Sequence, residues 1–166
     1  MPDMNPKKNP MPTLDPTVRA HCFEEVAQGY DEVTARAEAN RCLHCKNRPC
    51  VSGCPVGVAI PDFLQKVAAG EFEEAYRIIV STNTLPAVCG RVCPQEKQCE
   101  HHCVRGIKGE SVGIGRLERF VADRHRTHTA PAAPVTPPAD ARRVAVIGSG
   151  PSGLSCAGEL AARGYA

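Results

Sequence analysis

Two cysteine runs constrain this chain more than anything else in it. The first, "CLHCKNRPCVSGCP", reads Cys42-x2-Cys45-x4-Cys50-x3-Cys54-Pro55. The second reads Cys89-x3-Cys93-Pro94-x4-Cys99-x3-Cys103, with residues 55–88 between the two. Both contain a Cys-Pro step, and both end on a three-residue spacer before the last Cys. A set of thiols this dense must be bridged, metallated or joined to a cluster. Disulfides need an oxidising compartment. The N-terminus, "MPDMNPKKNPMPTLDP", has two lysines but no apolar stretch behind them, so it does not read as a signal peptide. The expectation is a cytoplasmic chain with reduced thiols.

Zinc would need two short Cys-x2-4-Cys knuckles per site. Cys42 and Cys45 would serve as one knuckle, but the remaining spacers are uneven. Iron–sulfur clusters fit better. A cubane takes several soft thiolates converging on one small body, and a loop with x2 and x4 spacers can wrap it corner by corner. Pro55 then gains a role. In runs of the form C-x2-C-x2-C-x3-C-P, the Cys before Pro binds the other cluster. This chain departs from that form in its x4 spacer. By the same logic Cys54 leaves the first cluster, and a Cys of the second run returns to complete it. Two [4Fe–4S] clusters sharing cysteines across the runs are expected. Spacing alone would make Cys89 a ligand. Cys22 and Cys156 lie outside the runs and read as small buried hydrophobes. His101 and His102 read as a solvated loop.

Composition narrows the function. Net charge is +2 with no basic block, which gives no support for nucleic-acid binding. No apolar stretch approaches the length needed to span a bilayer. The organisation reads as four segments: an extended arm (1–17), a mainly α domain holding the eight cysteines of the two runs and Cys22 (18–126), a Pro/Ala/Thr-rich linker (127–143), and the start of a new unit (144–166). In the α domain, "IPDFLQKVAAG" has Pro61 near its start and Gly70 at its end. "EFEEAYRIIVSTN" puts Phe72, Ala75, Ile78 and Ile79 on one face, and "GIGRLERFVADRH" repeats the pattern with Ile114, Leu117, Phe120 and Val121.

The last segment, "RRVAVIGSGPSGLSCAGELAARGYA", predicts a strand over Val144–Ile147, then Gly148-Ser149-Gly150-Pro151-Ser152-Gly153, then a helix. This is G-x-G-x-x-G in its informative context, opening a Rossmann-type unit that takes a dinucleotide pyrophosphate at the helix N-terminus. The acidic ribose ligand would lie about 20 residues further on. The chain stops at Ala166, so it reads as a fragment that begins a dinucleotide site without completing it.

Taken together, "ANRCLHCKNRPCVSGCPV", "CGRVCPQEKQCEHHCVRG", "GIGRLERF" and "VAVIGSGPSGLSCA" resemble the small (beta) subunit family of NADPH-dependent glutamate synthase. The same block occurs in the large subunit of NADH-dependent ferredoxin:NADP oxidoreductase and in the N-terminal region of dihydropyrimidine dehydrogenase. The resemblance covers about residues 20–166. It implies an α-helical ferredoxin domain with two [4Fe–4S] clusters, followed by the first βα unit of an FAD domain. It implies that Cys42, Cys45, Cys50 and Cys103 bind one cluster, and that Cys54, Cys93 and Cys99 bind the other. It also implies that the fourth ligand of the second cluster is not Cys89 but Glu118. The implied function is an oxidoreductase subunit passing electrons from NADPH through FAD and the clusters to a partner, the glutamate synthase large subunit, where 2-oxoglutarate and glutamine give glutamate. Alternatives are an electron-bifurcating ferredoxin:NADP oxidoreductase subunit, a stand-alone ferredoxin-like carrier and a zinc-stabilised interaction domain.

Overall fold

The computed structural model describes residues 2–130 and 136–166. Among the described residues eight α-helices follow one another: α1 (Pro16–Arg19), α2 (Glu32–Ala39), α3 (Pro49–Ser52), α4 (Ile60–Ala69), α5 (Phe72–Val80), α6 (Pro86–Val92), α7 (Ile114–His128) and α8 (Pro151–Ala162). Two short 3-10 turns, Gln95–Lys97 and Val104–Ile107, sit in the second cysteine run. The chain divides into two compact units, Met1–His128 and Thr129–Ala166.

In the first unit, local chemistry sets the helix ends. The Asp31 carboxylate accepts the Thr34 N–H at 2.7 Å and caps α2. Pro61 stands in the first turn of α4, and Gly70 closes that helix at φ +85°, a conformation most side chains resist. The apolar faces of α4, α5 and α7 then meet. Phe63, Leu64, Val67, Phe72, Ala75, Ile79, Leu117 and Val121 are buried together, while Ile78 is only half-buried. Phe72 and Phe120 cross edge to face with centroids 5.2 Å apart.

The segment before α1 is extended and held against this core by a buried ion pair. Glu38 and Arg41, both fully buried, meet at 2.6 Å. Arg41 also donates to the carbonyls of Asn5 (3.2 Å), Glu110 (2.7 Å) and Ser111 (3.1 Å). Glu38 accepts the Asn9 N–H at 2.7 Å and the Gly113 N–H at 2.8 Å. The pair therefore ties the arm and the loop before α7 to α2, and every buried charge has its partners.

In the second unit α8 forms where the sequence predicts a helix, but no strand forms over Val144–Ile147. Among the described residues the sole β pairing is an isolated bridge between Thr13 and Ala27 in the first unit. A strand is defined by its partner, and here the partner amounts to one residue. The Val144 N–H donates to Ala166 O at 2.9 Å, and the Ala166 N–H donates to Arg142 O at 3.0 Å. The expected linker is also shorter at its front, because α7 continues to His128. Its residues 131–135 lie outside the described residues, as does Met1 of the expected arm.

Candidate iron–sulfur site

The cysteines of the two runs collect around two cavities. Cys42 follows α2, its N–H bonded to Ala39 O at 3.0 Å. The chain then turns tightly, with His44 at φ +48° and Arg48 at φ +44°, and enters α3, which carries Cys50. Cys42, Cys45 and Cys50 line the first cavity together with Cys103, from the far end of the second run. Cys54, just past α3, lines the other cavity with Cys89, Cys93, Cys99 and Glu118. Ile60 and Ile114 line both and form an apolar wall between them. All eight sequence-selected donors thus face one cavity or the other, and Cys89 stands among the second set.

Close backbone approach explains the second cavity. A Cβ on Gly90 would lie 2.6 Å from Arg119 N and 2.7 Å from its Cα, so α6 and α7 cross there with no side chain between them. The neighbours of these two residues, Cys89 and Glu118, are thereby carried to the same cavity. Asn83, in the turn before α6, lies between them. Its Nδ2 donates to Glu118 Oε1 at 2.6 Å, and its Oδ1 accepts the Cys89 thiol at 3.5 Å.

The thiols are crowded and desolvated. Burial, with the charges of Cys103 and Cys45 adding, raises the pKa of Cys42, while the His44 N–H lowers it in part. Burial beside Cys42 and Cys103 pushes Cys50 to about 11. Cys93 is pushed to about 12 by burial and then by Cys89. Cys99 reaches about 12 by burial and then by the charges of Glu100, Cys54 and Glu118. Burial lifts Glu118 to about 7 against the opposing hydrogen bond from Asn83. Several acids that must ionise together next to one another form a site suited to a strongly positive iron core. Among the described residues, no group of three or more Cys, His, Asp or Glu is set to hold a single metal ion. These donors surround space and do not converge on one point.

Of the remaining residues, Cys22 is half-buried and Cys156 is exposed. The reading of Cys156 as a buried hydrophobe is corrected: α8 buries none of its side chains, so there is no core for it to enter. His101 and His102 are exposed and meet edge to face. At the glycine-rich turn, Gly148 is at φ +109° and Gly150 precedes α8. Among the described residues, chain neighbours aside, no atom lies within 4 Å of a Cβ built on either glycine, whereas one on Gly153 would overlap Gly148 O. The turn is thus bare on one side and tight against its helix on the other. Sequence reasoning missed Asn83, Gly90 and the Glu38–Arg41 pair. An Asn two residues before Leu-Pro is a turn-and-cap signal that could have drawn attention to Asn83; nothing local marks the other two.

Thiols around cavities in a small helical domain define a class, the cysteine-ligated iron–sulfur proteins. Comparison with known families carries this further. Residues 19–130 match the family described as dihydropyrimidine dehydrogenase domain II, 4Fe-4S cluster, and the chain belongs to that family. It is 40% identical over 165 residues to the glutamate synthase [NADPH] small chain of Halomonas elongata, covering 96% of this chain and 33% of that one. It is 36% identical to the NADPH-Fe(3+) oxidoreductase subunit beta of Geobacter sulfurreducens, covering 93% of this chain and 22% of that one. It is also 36% identical to the NAD-dependent dihydropyrimidine dehydrogenase subunit PreT of Escherichia coli, covering 86% and 34%. The chain spans about a third of the length of the glutamate synthase small chains it matches. Among the described residues no helix is long and apolar enough to cross a membrane.

Proposed function

We propose that this chain is the iron–sulfur module of an NADPH-dependent flavoprotein oxidoreductase, acting in the cytoplasm and most akin to the glutamate synthase small subunit. The observation that carries the reading is the division of donors between two cavities sharing the Ile60–Ile114 wall. Cys42, Cys45, Cys50 and Cys103 would hold one [4Fe–4S] cluster. Cys54, Cys93, Cys99 and Glu118 would hold the other. Clusters bound there supply one-electron transfer between a flavin and a partner subunit. The chain's own part is to converge the ligands, to keep the space between the cavities dry with Ile60 and Ile114, and to tune potentials through burial and N–H groups aimed at sulfur. Zinc fits less well, because the thiols encircle cavities instead of meeting tetrahedrally.

Residues 144–166 would be the first βα unit of an FAD domain. Two features support this. The hydrogen bonds that Ala166 exchanges with Arg142 and Val144 follow the pattern of parallel strands. The bare turn at Gly148 and Gly150, ahead of the N-terminus of α8, suits a pyrophosphate. Gly148, Ser149, Gly150, Pro151, Ser152 and Gly153 would form that cradle. The domain order would be arm 1–17, ferredoxin domain 18–128, linker 129–143 and FAD unit 144–166. The partner would be a glutamate synthase large subunit, which turns 2-oxoglutarate and glutamine into glutamate, and residues 1–166 alone would not perform that reaction. Iron, sulfide and zinc analysis of anaerobically purified chain, with EPR after dithionite reduction, tests the reading. About eight irons with matching sulfide and a coupled cubane spectrum are expected. Zinc without sulfide would overturn it.

A further inference from the structure

The second cavity holds one donor too many. Cys89 and Glu118 both line it beside Cys54, Cys93 and Cys99, and a cubane takes four. The contact between Gly90 and Arg119 carries both rivals to the same cavity, so position alone does not choose between them. Building on the proposed assignment of Glu118 to the second cluster, we infer that Asn83 is the positioning residue that selects Glu118 over Cys89.

The argument is one of hydrogen-bond direction. Asn83 Oδ1 accepts the Leu85 backbone N–H at 3.0 Å. A backbone N–H can only donate, which fixes which end of the amide is oxygen. The Nδ2 end must then face Glu118, and it donates to Oε1 at 2.6 Å. One carboxylate oxygen is held by the amide, and Oε2 is left for iron. The same Oδ1 engages Cys89 by accepting its S–H at 3.5 Å. That contact holds the Cys89 sulfur against the amide, while the carboxylate is oriented by the other end of the same group. Asn83 is itself buried and tied to the chain at both ends, its N–H bonding Ile79 O at 3.0 Å. One amide therefore orients the carboxylate and occupies the thiol.

The test uses the whole chain purified anaerobically, with iron content and Mössbauer spectra as readouts. The first cluster serves as an internal control of folding. Asn83→Ser keeps an acceptor near the Leu85 N–H but cannot reach Glu118. Asn83→Asp keeps the shape and sets a carboxylate against a carboxylate. In the parent chain, one iron of the second cluster should show non-thiolate ligation, and Cys89→Ser should leave both spectrum and iron content unchanged. Asn83→Ser and Asn83→Asp should each convert that iron to all-sulfur ligation. Either change combined with Cys89→Ser should lower iron from about eight to about four per chain. If the double variants keep the parent spectrum, the role of Asn83 is wrong while the Glu118 assignment stands. If Cys89→Ser alone strips the second cluster, the Glu118 assignment is wrong and the inference goes with it. Loss of both clusters in the Asn83 variants also overturns the inference, since Asn83 would then serve the fold and not the ligand choice.

Discussion

The two cavities draw on the same kind of loop and end with different donor sets. The first is lined by four thiols, three from one run and Cys103 from the other. The second takes Cys54 from the first run and gathers three thiols of the second run around a carboxylate and an amide. The first is assembled by turns: left-handed His44 and Arg48 fold a short segment back on itself. The second is assembled by helix packing, with α6 pressed on α7 at Gly90. A site made by local turns should survive damage to helix packing, and a site made by packing should not. The cavities share the Ile60–Ile114 wall, and the loop that the Glu38–Arg41 pair anchors runs directly into Ile114, so a change in either should strike both.

The largest effect is expected where both cavities depend on one feature. Arg41→Met leaves Glu38 buried without its partner and frees the loop before α7, at a cost of about 3–5 kcal/mol. Denaturant unfolding of the cluster-free chain should show that loss, and iron should fall at both sites together. Loss confined to one site would mean the buried pair serves that cavity alone. Ile114→Ala comes next, at about 2–5 kcal/mol for a buried large-to-small change. It opens the common wall, so dithionite EPR should show both cluster signals altered. An effect on one signal only would remove Ile114 from the shared boundary.

Much of this division was legible beforehand, and the reasons are local. Cysteine spacing and Pro55 lead to the expectation that the runs interleave, and Cys103 and Cys54 do each line a cavity with thiols of the other run. The apolar faces of α5 and α7 are readable because helical periodicity is written in sequence order. The surplus of donors in the second cavity was legible as a conflict, since spacing offered Cys89 and resemblance offered Glu118. What joins them was not legible. Gly90 meets the backbone of Arg119 across the fold, and Asn83 meets Glu118 from another turn. Such contacts are made by tertiary packing and leave no periodic trace. The buried Glu38–Arg41 pair looks in sequence like any exposed i,i+3 pair; only the arm folding over it buries it. The strand over Val144–Ile147 is a miss of another kind, since periodicity reports the propensity of a strand and not the presence of its neighbour.

Gly90→Ala separates the two modes of assembly. Its Cβ would press on the backbone of Arg119, which cannot swing aside, so α6 must move from α7 at a cost of about 1–3 kcal/mol. The second cavity should lose iron and the first should keep it. Equal loss from both would erase the distinction between turn-built and packing-built sites.

Gly53→Ala is the weakest and most discriminating change. Gly53 sits between Cys50 and Cys54, where the first run passes the second, and its φ of −83° suits alanine. The added methyl would overlap the His102 ring and approach Gln98 O at 3.0 Å. Unlike the backbone facing Gly90, the His102 side chain is exposed and can rotate away. The cost should therefore fall at or below the lower end of the overpacking range, about 1 kcal/mol, and iron should be retained at both sites. His102→Ala in the same chain should recover most of that cost, leaving only the pressure on Gln98 O. A double-mutant cycle on unfolding free energies measures the coupling. Strong coupling would place the contact between the runs at the ring of His102. No coupling, with full loss in Gly53→Ala, would place it at the backbone of Gln98, and the passage between the runs would then be as rigid as the crossing of α6 and α7.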